Sequence, residues 1–397
     1  MTNIHFIGIG GIGVSALAKI YENRGAQVSG SDMHQSSITE TFTHASIGHK
    51  SENVTADHDL VIYSPAIPAD NVELLRAKEL GIPTKSYPEA LGDLSREYFT
   101  IAIAGTHGKS TTTAMLALIL EQAGLDPTVV VGTKIPQFDG HNYRVGESKY
   151  LIIEACEYRE SFHSLHPKIL LITNIEPDHL DFFKTAENYH SNFQKFIANL
   201  PPDSQTFQHP ITLDFDATPG VPGDFNLENA QLAARAALAL DISPESIQKA
   251  LKSFTGTWRR MEEKPKLGNT RMIDDYAHHP TEIQKTLAAI RHENPEANIL
   301  TVFQPHQYSR TKHFLEKFAN SFTDSDAVII PDIYAVRDSQ EDLNAVSPAD
   351  LVAKIGDKAM DGHGLEETAK YLRSNHQNYD IIITMGAGNI YKIYSLI

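Results

Sequence analysis

Residues 101–113 read IAIAGTHGKSTTT. An apolar run leads into a glycine turn, a lysine and a cluster of hydroxyls, and the following AMLALILEQAG has the composition of a helix. That order is how a nucleotide phosphate is bound. Backbone N–H groups of a turn made by Gly105, Thr106, His107 and Gly108 can wrap an anion, and a helix N-terminus adds a partial positive charge. Lys109 supplies a point charge for the outer phosphates, and Ser110, followed by Thr111, can place its hydroxyl on Mg²⁺. The general loop has four residues between its glycines; here there are two, Thr106 and His107.

Upstream, residues 3–32 repeat the strand–turn–helix–strand order. NIHFIGIG precedes a glycine cluster (Gly8, Gly10, Gly11, Gly13, with Ile12 between the last two), a helix follows, and AQVSGSD ends at Asp32. G-x-G-x-x-G with an acidic residue about 20 positions on suits a pyrophosphate and a ribose hydroxyl. The ligand is either a dinucleotide or a nucleotide-sugar diphosphate, and a tight turn without ligand stays open. DLVIYSPAIP puts another apolar strand before Ser64, Ala66 and Ile67, a wall for the same site at the carboxyl end of a strand. A first domain of residues 1–95 is expected.

Downstream of the phosphate loop, two apolar strands end in acidic and imidazole groups. KYLIIEACE carries Glu154 and Glu157; PKILLITNIEPDHLD carries Glu176, Asp178, His179 and Asp181. Together with Ser110 they suggest a Mg·ATP site at one sheet edge, since Mg²⁺ takes oxygen ligands. Residues 201–224 are rich in Pro, Asp and Gly and hold little that forms a core. The helix after them starts with Asn226 and Asn229, whose amides either read an adenine edge or cap the helix. FTGTWRRMEE reads as a hinge that closes a second domain, 96–256, with Arg259 and Arg260 either on phosphate or in an exposed loop.

Residues 257–397 alternate strands with helices, which implies a parallel sheet covered on both faces. Its strand ends gather polar residues: Asp275, Tyr276, His278 and His279; His306, Ser309 and Arg310; Asp332, Arg337 and Asp338; residues 386–389. Such clustering is what a ligand crevice requires, and the histidines lack a zinc spacing. The fold expected is α/β with three domains: a Rossmann-like first domain, a P-loop ATPase-type central domain and a Rossmann-like C-terminal domain.

The 397 residues carry a formal charge of −16, which argues against nucleic acid and anionic membranes as partners. One cysteine, Cys156, permits no intrachain disulfide. No run reaches the length of a membrane span, the N-terminus reads as a strand rather than a signal, and a cytoplasmic enzyme, monomer or homodimer, is expected.

The pieces GIGGIGVSALA, AGTHGKSTTT, EACEYRESF, TNIEPDHLD, FTGTWRRME, DDYAHHPTEI, VFQPHQYSRT and GAGNI, in this order, resemble the Mur ligases of peptidoglycan synthesis. The two-residue loop gap is the form that family uses. The resemblance implies an ATP- and Mg²⁺-dependent ligase that joins L-alanine to the carboxylate of UDP-N-acetylmuramate through an acyl phosphate. By that resemblance Gly105 to Thr111 hold phosphates, and Ser110, Glu154 and His179 hold Mg²⁺. Asn226 and Asn229 contact adenine, while Arg260 and Asp275 contact ATP phosphates and ribose. Gly8, Gly10, Gly11, Ile12, Gly13, Asp32, Ser64, Ala66 and Ile67 surround UDP. Tyr276, His278, His279, His306 and Arg310 face the amino acid, with Arg310 on its carboxylate. Lys109, Glu154, His179, His278 and Arg310 form the catalytic set.

Departures from the family pattern are Cys156, Tyr158 and Arg159 in the acidic stretch, Phe225 in place of a histidine, and Gln307 where many members have arginine. Residues 200–224 stand for a much longer segment, so a trimmed central sheet with an exposed edge is expected. Two other readings are a ligase that recycles whole tripeptides and a non-catalytic nucleotide-binding paralogue.

Overall fold

The computed structural model describes residues 2–336 and 338–397; Arg337 and the side chain of Asp181, both named above, lie outside the described residues. Seventeen strands form three sheets among these residues. The chain divides into two compact units, one of Met1–Gly220 with Glu228–Thr255, the other of Val221–Leu227 with Gly256–Ile397.

The first unit holds two sheets. Strands β1 (Asn3–Ile7), β2 (Gln27–Asp32), β3 (Ala45–Ile47), β4 (Leu60–Tyr63) and β5 (Thr84–Ser86) lie in the order β3-β2-β1-β4-β5, all parallel. The order reverses beside β1, so the loop after β1 opens at a switch point, where α/β sheets bind ligands. Helix Val72–Glu79 is fixed to this sheet by Glu73, fully buried. Its carboxylate accepts from Ser31 Oγ and Asn53 Nδ2, both at 2.5 Å, and from the Lys50 N–H, with His5 and His49 within 3.5 Å. Burial works against the charge, but bonds from His5, Ser31 and Asn53 prevail and hold the carboxyl down to about 2.

The central sheet has β6 (Phe99–Ala104), β7 (Thr128–Ile135), β8 (His141–Arg144), β9 (Tyr150–Glu154), β10 (Ile169–Ile172) and β11 (Gln205–Gln208), ordered β11-β10-β6-β9-β7-β8. Only β8 runs antiparallel to its neighbour. FTIAIA of β6 is apolar on both faces because helices cover both. One apolar cluster joins this sheet to the first, running from Phe6 and Leu17 through Leu91 and Leu94 to Leu151, Phe162 and Phe193.

Residues 201–224 correct the sequence reading in part. Gln205–Gln208 pairs in parallel with β10 as an edge strand, with Gln205, Thr206 and Gln208 exposed. The strand has no apolar alternation, which is why pattern reading passes over it. It is short, Pro210 follows two residues on, and the Arg235 guanidinium lies 4.7 Å over the Phe207 ring; all three blunt an open edge.

In the second unit, β12 (Glu262–Leu267), β13 (Thr270–Asp275), β14 (Ile299–Phe303), β15 (Ala327–Ile330), β16 (Ala359–Asp361) and β17 (Ile381–Met385) lie in the order β12-β13-β17-β14-β15-β16. The expected parallel sheet is present with one exception. Part of the presumed hinge is β12, antiparallel to β13 in a hairpin. EEKPKL has charges and a proline, so only its pairing with β13 makes it a strand. The closing segment, Ile390–Ser395, is a 3₁₀ helix.

Candidate functional site

The phosphate loop sits between β6 and helix Lys109–Gln122. Two glycines are required by space and conformation. Gly105 has φ +133°, and a Cβ there would lie 2.0 Å from Thr173 Oγ1; Gly108 has φ +83°, and a Cβ there would lie 2.3 Å from Asn229 Oδ1. The loop is fixed from β10's end. Asn174 Oδ1 accepts from the His107 N–H and its Nδ2 donates to the His107 carbonyl. Thr106 Oγ1 donates to the Glu176 carbonyl, accepts from the Glu176 N–H and meets the Tyr189 hydroxyl at 2.8 Å.

Lys109 folds back over the loop, donating to the carbonyls of Gly105 (2.5 Å) and Thr106 (3.1 Å), and its Nζ lies 3.1 Å from Glu157 Oε2. Burial works against its charge, but Glu157 and then Glu154 outweigh that and raise its pKa. The ammonium is therefore charged at neutral pH. Glu157 also reaches His179, Nε2 to Oε1 3.7 Å. Beside this group, Ser110 donates to Glu154 Oε2 at 2.8 Å, and the Gly132 N–H donates to the same oxygen. Of the three residues assigned to the metal, Ser110 and Glu154 are thus in contact, and His179 is placed on Glu157. A hydroxyl and a carboxylate facing one another are oxygen donors of the kind Mg²⁺ takes.

Asn229 accepts from Thr112 Oγ1 at 3.2 Å, and Asn226 donates to the Pro222 carbonyl at 2.6 Å. Both amides are buried and each holds its own part of the fold.

The glycine loop after β1 is held by Asp32, whose Oδ2 accepts from the Gly10 N–H at 2.9 Å and whose Oδ1 accepts from His34 N–H. Asp32 thus shapes the turn. Gly11 N–H bonds the Gly8 carbonyl, and Gly8 (φ +82°) faces Ser64 and Ile67. Ser64 Oγ accepts from Ala66 N–H. Ser64 and Ile67 thus lie against the glycine loop. A cavity of about 230 Å³ runs from Ile12 and Gly13 past Tyr87 to Gly132, Glu154, Cys156 and Ser161. Cys156 is exposed and lines this cavity. Desolvation by the protein packed around it, then Glu157, pushes its thiol up to about 12, so it supplies no thiolate.

In the second unit, Glu282 is a residue the sequence reading missed. It accepts from Arg260 Nη1 (3.2 Å) and from the His278 and His279 N–H groups, and lies 3.3 Å from His278 Nδ1. A capping-box glutamate was visible in HPTE; its hold on Arg260 was not. Asp275 accepts from Met261 and Ala277 N–H groups; burial raises its carboxyl to about 6 despite Arg260. Tyr276, His278 and His306 form a ring chain, with centroids 5.4 and 6.2 Å apart, and His306 stacks on Tyr334. His279 is buried, caps helix Pro280–Glu293 and packs on Phe314. Arg310 is buried in helix Tyr308–His313. Gln307 is turned inward at φ +72°, bonded to Tyr334 and Val336 carbonyls. Arg259 is neither phosphate-facing nor exposed: it is buried, paired to Asp274 at 2.8 Å, and bonds the carbonyls of Gly386 and Gly388.

Two nucleotide-type loops in parallel α/β sheets, with a third sheet ending in ring and guanidinium side chains, define a nucleotide-dependent α/β enzyme fold of three domains. The chain belongs to the Mur ligase family. It matches the Mur ligase catalytic domain over residues 3–99, the Mur ligase middle domain over 103–211 and the glutamate ligase domain of Mur ligases over 259–388.

Among its relatives, the UDP-N-acetylmuramate–L-alanine ligase of Acetivibrio thermocellus is 40% identical, covering 98% of this chain and 94% of that protein. The same-named protein of Agathobacter rectalis is 39% identical, over 98% and 96%. A crystal structure of UDP-N-acetylmuramate–alanine ligase from Thermotoga maritima superposes with a TM-score of 0.82 at 28% identity, covering 100% of this chain and 98% of that one. A murein peptide ligase from Psychrobacter arcticus shares the fold, with a TM-score of 0.69 at 22% identity over 100% and 98%. The Acetivibrio match runs over 447 aligned positions against 397 residues here, so at least 50 positions, the difference, have no counterpart in this chain.

Proposed function

We propose that this chain is an ATP-dependent ligase that joins L-alanine to the carboxylate of UDP-N-acetylmuramate. The observation that carries the reading is the phosphate loop: Lys109 lies over it, and Ser110 faces Glu154 at its helix end. Relatives at 38–40% identity carry the name of that activity over nearly the whole chain. The chain is read as three domains, 1–95, 96–256 and 257–397, and as cytoplasmic. No helix among the described residues is long and apolar enough to cross a membrane.

The reaction needs no enzyme nucleophile. A carboxylate oxygen of the sugar acid attacks the γ-phosphorus of ATP, the bond to the β-bridging oxygen breaks, and ADP leaves. The amine of alanine then attacks the acyl carbon, and phosphate departs with the oxygen that joined it. Lys109 offsets charge on the phosphoryl oxygens as they move. The loop N–H groups from Gly105 to Gly108 fix the nucleotide phosphates. Ser110 and Glu154 would hold Mg²⁺, which draws charge from the phosphoryl group as a Lewis acid. Arg310 is assigned to the amino-acid carboxylate, with Tyr276, His278 and His306 around it; Arg260 and Asp275 are assigned to the nucleotide.

The test is phosphate release by purified protein given UDP-N-acetylmuramate, ATP and Mg²⁺, with L-alanine, glycine, L-serine or the L-Ala-D-Glu-diaminopimelate tripeptide offered separately. Release that depends on alanine is expected. Release with the tripeptide alone, or nucleotide binding without release, contradicts the reading.

A further inference from the structure

The stretch after Glu154 holds a cation that the reaction above does not use. Arg159 and Glu160 are consecutive residues at φ +52° and +58°, a conformation that L residues adopt only when their surroundings impose it. The turn they make aims Arg159 at the first substrate's loop: its Nη1 donates to the Pro65 carbonyl at 2.8 Å. Pro65 follows Ser64, the residue that faces Gly8. On its other side, the guanidinium lies 5.6 Å from the Tyr158 ring, and that ring lies 4.8 Å from the imidazole of His179. His179 meets Glu157, and Glu157 meets Lys109.

A continuous line of contacts thus runs from the glycine loop to the phosphate loop, with Arg159 in it. Arg159 is exposed, and no carboxylate pairs with it among the described residues. A guanidinium has five donors, and the Pro65 carbonyl uses one. Glu154 and Glu157 make the neighbourhood acidic, and the whole chain carries −16. An anionic substrate entering here therefore needs a local cation. The glycine-loop N–H groups serve the diphosphate; the carboxylate at the opposite end of the sugar has no assigned cation before phosphoryl transfer.

We propose that Arg159 receives the carboxylate of the nucleotide-sugar acid and selects for it over nucleotide sugars that lack a carboxylate. The assignment rests on the functional reading above. Arg159→Gln removes the charge and keeps a polar side chain, and the backbone strain is unchanged in kind; the shorter amide does not reach the Pro65 carbonyl, so the ligand without a carboxylate controls for that lost contact. Calorimetric titration of wild type and R159Q with UDP-N-acetylmuramate and with UDP-N-acetylglucosamine, which lacks the carboxylate, reads it out. The expected result is a Kd for UDP-N-acetylmuramate raised about tenfold or more in R159Q, the worth of a charge-assisted hydrogen bond. The Kd for UDP-N-acetylglucosamine and the thermal midpoint should not change. Equal loss for both ligands assigns Arg159 to the diphosphate or to the loop and overturns the proposal, as does no loss for either. Wild-type protein that binds neither ligand overturns the functional reading itself.

Discussion

Ser110 Oγ and Glu154 Oε2 meet at 2.8 Å, although 44 positions separate them in sequence. The contact joins the end of β9 to the first turn of the helix that leaves the phosphate loop. Glu154→Gln keeps the hydrogen bond and removes the charge. Turnover should fall about 100-fold or more while the fold is kept, as expected for loss of one charged group at a phosphoryl-transfer centre. Phosphate release across a Mg²⁺ titration checks this, and a half-saturating Mg²⁺ concentration unchanged from wild type would count against Glu154 as a ligand.

Gly108→Ala tests the loop itself. The added Cβ meets Asn229 Oδ1 at 2.3 Å, and φ +83° is strained for alanine. We expect a loss of about 1–3 kcal/mol in urea unfolding and weaker ATP binding. Asn229→Ala in the same background should recover part of the stability, because it removes the atom that the methyl strikes. A double mutant no better than the single would show that backbone strain, not the clash, dominates.

Acid sensitivity should pass through Glu73. Its carboxyl is held at about 2 in the fold against 4.5 in the reference state. The depressed value means the contribution is present above pH 4.5 and is lost as pH falls toward 2. The difference corresponds to about 3 kcal/mol at neutral pH. Glu73→Gln should lower stability at pH 7 and flatten the slope of unfolding free energy between pH 4.5 and 2. His5 and His49, which face the same carboxylate, are left in place, so an unchanged slope would move the effect to other groups.

Arg310→Lys tests the amino-acid end without emptying a buried position. A lysine keeps the charge but not the fork that grips a carboxylate. The KM for alanine should rise about tenfold while the Kd for ATP stays the same. Unchanged alanine kinetics would remove Arg310 from the site.

Much of this architecture is legible in the chain. The loop after β6 carries its chemistry in thirteen consecutive residues, and strands such as IAIA and IIITM announce themselves by continuous apolar runs. What escapes is long-range pairing of polar groups. Asn174 secures the loop by bonding both polar groups of the His107 peptide, and nothing in TNIEPDHLD distinguishes it from a strand-end residue. Glu157 follows Glu154 by three positions and was visible as an acidic residue, but its bridging of Lys109 and His179 depends on three separate elements. Arg259 and Arg260 are adjacent in sequence and opposite in circumstance: one is sealed against Asp274, the other is half-buried and held by Glu282. Strands β11 and β12 form on polar sequence because a neighbour offers an edge, so no local pattern marks them.

The central claim is that the sugar-acid carboxylate is phosphorylated before the amide forms. UDP-N-acetylmuramate labelled with ¹⁸O at both carboxylate oxygens, incubated with the protein, ATP, Mg²⁺ and L-alanine, tests it directly. Mass analysis of the released phosphate should find one ¹⁸O in each phosphate, matched by one ¹⁸O retained in the amide carbonyl. Phosphate that carries no label would contradict the account.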